Sequence, residues 1–336
     1  MAEYNGFNDD RRDMWNCVWL RYKDPKITQR EIANQLNLSE ARVSRLLDRA
    51  NKEGMLEITL TVNPPRISTL ENEMRQHFEL FDAVVIPHTG DDRDVRRSLG
   101  IAAAKYFEWL AKEDSRVAVG SGTTLTQMVE NLTPRKFRSL KLYPLAAMEL
   151  GLQPNAAEVV EFFPNALVAA MRAKYGGSVQ AFNFQVAPVG RDLDEQEKMK
   201  VLEQNGIRDL FEEAKNADIF LVGIGTFKRI GYRAEAVLRY YNTDIEELKR
   251  LALGQINFQP FNSEGVLLKE FKGISNIIAV TIDHLQKMSR SPSKHVIAVA
   301  GGREKIEAIR ASLSPIRCYD ILITDEVVAE AVLKGE

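Results

Sequence analysis

Beyond Arg66, three apolar runs of strand length, "RVAVGSG", "DIFLVGIGTF" and "KHVIAVAGGREK", each end in glycine and pass into a stretch of helical spacing. Short apolar runs separated by helical patterns build parallel strands, because a parallel pair cannot be closed by a tight turn and needs a crossover. The alternation predicts a doubly wound α/β domain with helices on both faces of the sheet. "DAVVIP" adds a strand, "RRSLGIAAAKYFEWLAKE" a helix, and Leu70 to Phe81 an amphipathic stretch before them. "YDILITDEVVAEAVL" closes the chain as strand, acidic corner and helix, with Asp325 and Glu326 suited to the positive end of that helix dipole.

The glycine corners carry the chemistry. In "VAVGSGTTLTQ" Gly120 and Gly122 let the backbone turn, and Ser121, Thr123 and Thr124 bring hydroxyls to a helix N-terminus, where exposed amides and the dipole favour a phosphate. No Gly-Lys-Ser/Thr follows, so this is not a Walker A loop, and the dinucleotide-binding glycine fingerprint is incomplete. An ordinary strand-to-helix turn is the plain alternative. Gly223, Gly225 and Thr226 are expected at a second corner, and Gly301 and Gly302 at a third, with Lys305 in the following first turn. Ligands of open α/β sheets bind outside the carboxyl ends of the strands, so the three corners are expected to share one crevice. A lysine in a first turn opposes the dipole, which gives a bound anion a reason to be there.

The front of the chain follows different rules. "TQREIANQLNLSEARVSRLL" opens on Thr28 with Glu31 three residues later, a capping box that starts a helix. Ile32, Ala33 and Leu36 give it an apolar stripe, and Asn37 ends it, since Asn tolerates the left-handed conformation. Ser39 then caps a second helix with Val43, Leu46 and Leu47 inward, leaving Arg42, Ser44, Arg45, Asp48 and Arg49 outward or half outward. Helix, short corner and helix with polar N-terminal positions is the helix-turn-helix pattern, whose second helix enters the DNA major groove. From Lys26 to Lys52 there are six basic and three acidic side chains, a local excess in a chain of net charge −2. Arg42 and Arg45 are the leading candidates for base-edge or phosphate contacts; Ser44, Arg49, Thr28 and Gln29 complete the candidate DNA-binding set. A small helical bundle with a solvated charged face is the bland alternative. Upstream, Met14, Cys17, Val18 and Tyr22 have the spacing of a supporting helix, with Trp15 and Trp19 read as core or interface. Downstream, Gly54 stops the helix, and Leu56, Ile58, Leu60 and Val62 alternate as in the strand of a wing before Pro64 and Pro65.

A chain of 336 residues exceeds one ordinary core, and the change of pattern at the prolines predicts an unequal division. The expected parts are a winged helix-turn-helix at 1–62, a linker at 63–68 and a larger domain at 69–336. Hydrophobic content of 45% and charged content of 27% exclude a disordered or fibrous chain. Two cysteines, Cys17 and Cys318, have no metal or redox spacing and read as reduced, partly buried thiols. The start lacks a signal-peptide pattern and no apolar run is long enough to span a bilayer, so a cytoplasmic location is expected.

Together, "ITQREIANQLNLSEARVSRLLDRANKEGML", "VAVGSGTTLTQMVENL", "VGIGT" and "VAGGREKIEAIRASL" with "YDILITDEVVAEAVL" resemble, in order, the SorC family of bacterial sugar-responsive transcription regulators. The resemblance implies a winged helix-turn-helix followed by an effector domain similar to phosphosugar isomerases. It also implies operator DNA as partner, a phosphorylated sugar as effector, repression, a tetramer built as a dimer of dimers, and no cofactor, metal or catalysis. Matched position by position, it assigns effector binding to Ser121, Gly122, Thr123, Thr124, Gly225, Thr226, Gly301, Gly302 and Lys305. Within "GQINFQPFNSEG" it adds Gln255, standing where the family usually has Asp, and Asn257. "AAMELGLQPNAAEVVEFFPN" departs from the family's Gly-rich loop, and no contact is carried across it.

The rival reading is a phosphosugar isomerase or deaminase with a fused DNA-binding front. Such chemistry needs a placed base and a ring-opening acid. His77, His88, His284 and His295 are scattered, and Asp283 is the one acid with a position suited to a base.

Overall fold

The computed structural model describes residues 9–335 apart from 25, 54, 56–64, 136, 150–162, 190–191, 229 and 270. The expected wing residues Leu56, Ile58, Leu60 and Val62, with Gly54 and Pro64, lie outside the described residues. Backbone contacts divide the chain into two units, Met1–Val62 and Asn63–Glu336. No described helix is long and apolar enough to cross a membrane.

In the first unit, α1 (Asp9–Lys23), α2 (Gln29–Leu36) and α3 (Glu40–Lys52) enclose a small core of Met14, Cys17, Ile27, Ile32, Ala33, Val43, Leu46 and Ala50. The capping box forms as its sequence requires. Glu31 N donates to Thr28 Oγ1 at 3.2 Å, and Thr28 N donates to Glu31 Oε2 at 2.8 Å. Asn37 takes the left-handed conformation at φ 53° and ends α2. One expectation for α1 fails. Tyr22 is exposed, as are Trp15 and Trp19, whose rings stack at 6.5 Å on the helix face turned away from the core. Met14 and Cys17 are the buried α1 residues of this core, and Val18 and Leu20 pack against it half-buried.

The second unit runs α4 (Ser68–Phe78), β1 (Asp82–Ile86), α5 (Asp92–Leu110), β2 (Arg116–Val119), α6 (Thr123–Glu130), β3 (Lys141–Pro144), β4 (Ala146–Glu149) and α7 (Pro164–Tyr175). It continues β5 (Gln180–Ala181), β6 (Gln185–Val186), α8 (Glu195–Gln204), α9 (Arg208–Lys215), β7 (Ile219–Thr226), α10 (Tyr232–Tyr240), α11 (Ile245–Leu251), β8 (Gly254–Ile256) and β9 (Gln259–Phe261). It closes with β10 (Ile278–Ala279), α12 (Ile282–Ser289), β11 (His295–Val299), α13 (Ile306–Ala311), β12 (Ile321–Asp325) and α14 (Glu326–Lys334).

Strands β1-β12-β11-β7-β2-β3-β5 lie side by side, all parallel, as the alternating pattern predicts. Successive residues serve opposite faces: Val84 and Ile86 join the core beneath α5, α6 and α7, while Ala83 and Val85 join the core on the other face. From β2 the chain proceeds outward to β3 and β5. From β7 it proceeds the other way, to β11 and β12. The β2–β7 boundary is therefore a topological switch point, where two loops diverge and leave a crevice at the carboxyl ends.

Candidate functional site

That crevice is a cavity of about 580 Å³. Ser121, Gly122, Thr123 and Thr124 line it from β2 and the start of α6, Gly225 and Thr226 from β7, Gln255 and Asn257 from the β8–β9 hairpin, and Lys305 from beyond β11. Nine residues separated by up to 184 positions in the chain thus face one space.

Gly122 caps α6 at φ 131°, a conformation that a side chain disfavours, and no atom lies within 4 Å of where its Cβ would be. The first amides of α6 therefore open onto the cavity side without a capping side chain. Lys305 closes a 3₁₀ turn, Arg303–Lys305, that precedes α13. It is half-buried, and its ammonium makes no hydrogen bond or ion pair with the described residues. Desolvation pushes its pKa down to about 8; Glu304 and Asp92 oppose that shift, and Arg96 reinforces it.

The sequence reading missed the α5 contribution. Asp91, Asp92, Arg93 and Arg96 line the cavity from the first turns of α5. Asp91 accepts from the amides of Arg93 at 2.8 Å and Asp94 at 3.1 Å, which hold its carboxyl below the ordinary range. Its negative charge is committed to the helix start. Arg93 is a first-turn cation, as Lys305 is, and Arg96 follows in the second turn of α5. α5 and α6 approach closely because Gly100 has no side chain: a Cβ there would fall 2.5 Å from Gln127 Cβ.

The other corners differ from expectation. Gly223 and Gly225 are not at a strand-to-helix turn but inside β7, which runs on to Thr226 and pairs antiparallel with β8. A Cβ on Gly225 would lie 3.0 Å from Gln255 Nε2, so this glycine makes room for the Gln255 side chain. Gly301 and Gly302 do not line the cavity. A Cβ on Gly301 would strike Asp325 Oδ2 at 2.3 Å, and Gly302 N donates to that same oxygen at 2.6 Å. Asp325 is fully buried, caps α14 through the amides of Val327 and Val328, and contacts His88 Nδ1 at 2.9 Å. It is a junction between β12, α14 and the turn leading to Lys305, more than the dipole partner read from the sequence.

Asp283, the candidate base, lies outside this cavity in an exposed ion pair with Lys269. His284 Nε2 meets the Lys215 carbonyl and His295 Nδ1 meets Asp320, while His77 is exposed on α4. None of these lines the cavity.

In the first unit, Arg42 donates to Asp10 at 2.9 Å and to Asp13 at 3.1 Å, and Arg49 reaches Asp10 at 3.4 Å and Glu53 at 2.6 Å. These arginines tie α3 to α1. Arg45 is exposed, its Nε donating to the Ala41 carbonyl and its side chain outside any ion pair among the described residues. Gln29 and Thr28 are exposed at the start of α2, and Ser44 is half-buried.

Comparison with known proteins decides the family. Residues 63–334 match the profile of the Sugar-bind family, described as a sugar-binding domain, and residues 22–57 match a winged helix-turn-helix DNA-binding family. The chain belongs to the SorC family of sugar-responsive, DNA-binding transcription regulators. It is 27% identical over 319 residues to the deoxyribonucleoside regulator of Bacillus subtilis (strain 168), covering 93% of this chain and 94% of that protein. It is 27% identical over 322 residues to the transcriptional regulator LsrR of Enterobacter sp. (strain 638), covering 94% and 91%. Its fold resembles the full-length sorbitol operon regulator SorC from Klebsiella pneumoniae, with TM-score 0.63 at 21% identity over 97% of this chain and all of that one. These relatives are named as regulators and not as enzymes.

Proposed function

We propose that this SorC-family regulator binds a phosphorylated sugar in the switch-point cavity, and that occupancy sets the affinity of the helix-turn-helix for its operator. One observation carries the reading. The uncapped start of α6 faces a cavity that also holds Arg96 and the desolvated, unpaired Lys305. Among the described residues neither cation is bonded to a carboxylate, although Asp92 and Glu304 line the same cavity, and such charges beside free amides are stabilised by an arriving anion.

On this reading Ser121 to Thr124, Lys305, Arg93 and Arg96 receive the phosphate, while Gln255, Asn257 and Thr226 face the remainder. Arg45, Gln29 and Thr28 face DNA, and Arg42 and Arg49 hold α3 on α1 as well as contributing positive potential. The proposal takes 1–62 as the DNA-binding domain, 63–68 as linker and 69–336 as effector and oligomerisation domain, acting in the cytoplasm as a non-catalytic repressor. Assembly as a dimer of dimers belongs to it too, and sedimentation velocity checks that.

The experiment is an operator titration and a melting scan with and without phosphorylated sugars. Binding to the folded state raises the melting temperature by mass action, and a panel member that does so is expected to change operator affinity. Arg45→Ala should weaken operator binding and leave the melting response intact; Lys305→Ala should do the reverse. A panel with no melting response and no change in operator affinity would overturn the reading.

A further inference from the structure

The β8–β9 hairpin carries three amide side chains, and their hydrogen bonds differ. Gln259 is saturated: Nε2 donates to the Val280 carbonyl at 3.0 Å and Oε1 accepts from Ile282 N at 2.8 Å. Gln255 is tied at one end only. Its Oε1 accepts from Phe258 N at 2.8 Å, which fixes the amide and leaves Nε2, without a partner among the described residues, as a donor. Asn257 is tied at the opposite end. Its Nδ2 donates to the carbonyls of Val280 at 2.8 Å and Leu145 at 3.2 Å, leaving Oδ1 buried with no partner. The partners force both orientations, since a backbone amide can only donate and a carbonyl can only accept.

The turn carries backbone strain as well. Asn257 and Phe258 both have positive φ, 48° and 65°, in a two-residue turn where the second position ordinarily needs glycine. A bulky aromatic residue there is strained, and such strain concentrates at ligand sites. A buried acceptor left unsatisfied adds to the cost. Both residues line the cavity, together with Gln255.

We infer that Gln255 and Asn257 form a neutral donor–acceptor pair that selects the non-phosphate end of the effector: an oxygen acceptor against Gln255 Nε2 and a hydroxyl donor against Asn257 Oδ1. This rests on the phosphate reading above and narrows it. A polyol, hemiacetal or hydrated aldehyde end supplies both groups. A carboxylate or second phosphate supplies acceptors alone and sets its electron pairs against Asn257 Oδ1, beside Phe227, Ile230, Ala234 and Phe258, which offer it no ion pair. The site therefore takes a singly phosphorylated sugar and rejects the matching phosphorylated sugar acid.

Calorimetric titration of the full chain tests this with matched pairs and inorganic phosphate: glyceraldehyde 3-phosphate against 3-phosphoglycerate, and glucose 6-phosphate against 6-phosphogluconate. At least one sugar phosphate should bind about tenfold or more tightly than its acid partner. Gln255→Glu keeps the acceptor for Phe258 N but turns the free donor into a charged acceptor. It should erase that sugar phosphate's advantage over inorganic phosphate while phosphate itself still binds. Equal binding of sugar and acid, or an unchanged preference in Gln255→Glu, overturns the assignment and leaves the phosphate site standing. No heat with any phosphate compound overturns the phosphate reading and this inference together.

Discussion

Lys305 has two pH dependences of opposite sign. Its folded pKa of about 8 lies below the ordinary lysine value, so the unfolded chain binds more protons between the two. Burial of the charged amine therefore opposes folding most strongly below about pH 8, and that opposition fades as pH rises. The proposed anion binding runs the other way, because it would need the proton that is lost above that pH. Sulfate, whose charge is constant near neutrality, isolates the effect. Its affinity is expected to fall severalfold from about pH 7 to about pH 9 in the native protein and to be weak and flat in Lys305→Met, read by calorimetry. The thiols sit at the other extreme. Cys318 is buried in the core and pushed up to about 12, so it packs as an apolar group.

The pairing of α5 with α6 sets where the cavity's charges meet. Gly100 lets α6 lie against α5, and both helices begin at the carboxyl edge of the sheet after β1 and β2. Gly100→Ala would place a methyl 2.5 Å from Gln127 Cβ and 2.6 Å from its carbonyl carbon, so backbone has to move. Overpacking of this kind costs about 1–3 kcal/mol. Urea denaturation should show that loss, and phosphate affinity should fall with it, since α6 carries Gly122 to Thr124. The β8–β9 hairpin is the second deciding element. It extends β7 beyond the parallel sheet and brings Gln255 and Asn257 over a crevice that the strand ends alone would leave open.

For the molecule as a whole, regulation is a coupling free energy between two sites. Linkage makes it reciprocal: whatever factor an effector imposes on operator affinity, operator DNA must impose on effector affinity. Paired titrations should return equal factors, and unequal ones would mean that an additional equilibrium, such as assembly, is linked to binding. The strand order supplies the place for an effector in such a scheme, since the direction in which strands are added reverses between the parallel β2 and β7 and a crevice follows from topology alone.

Much of this was legible in the residues. Thr28 with Glu31, Asn37, the alternating apolar runs and the glycine before Thr123 depend on neighbours a few positions away, and local chemistry dictated their conformation. Ser121 to Thr124 and Lys305 were expected at one crevice from the rule for strand ends, and they line one cavity with Gln255 and Asn257, whose hairpin that rule does not place. Arg93 and Arg96 were overlooked, although the first-turn place of Arg93 offered the same clue as Lys305. Folding alone distinguished glycines that look alike: Gly122 leaves open space, Gly225 admits Gln255, and Gly301 makes room for Asp325. It also consumed Arg42 in ion pairs with Asp10 and Asp13 while leaving Arg45 exposed. Hydrogen-bond partners, burial and the spare end of each amide arise from contacts between distant segments, and long-range packing fixes them after local propensity has done its part.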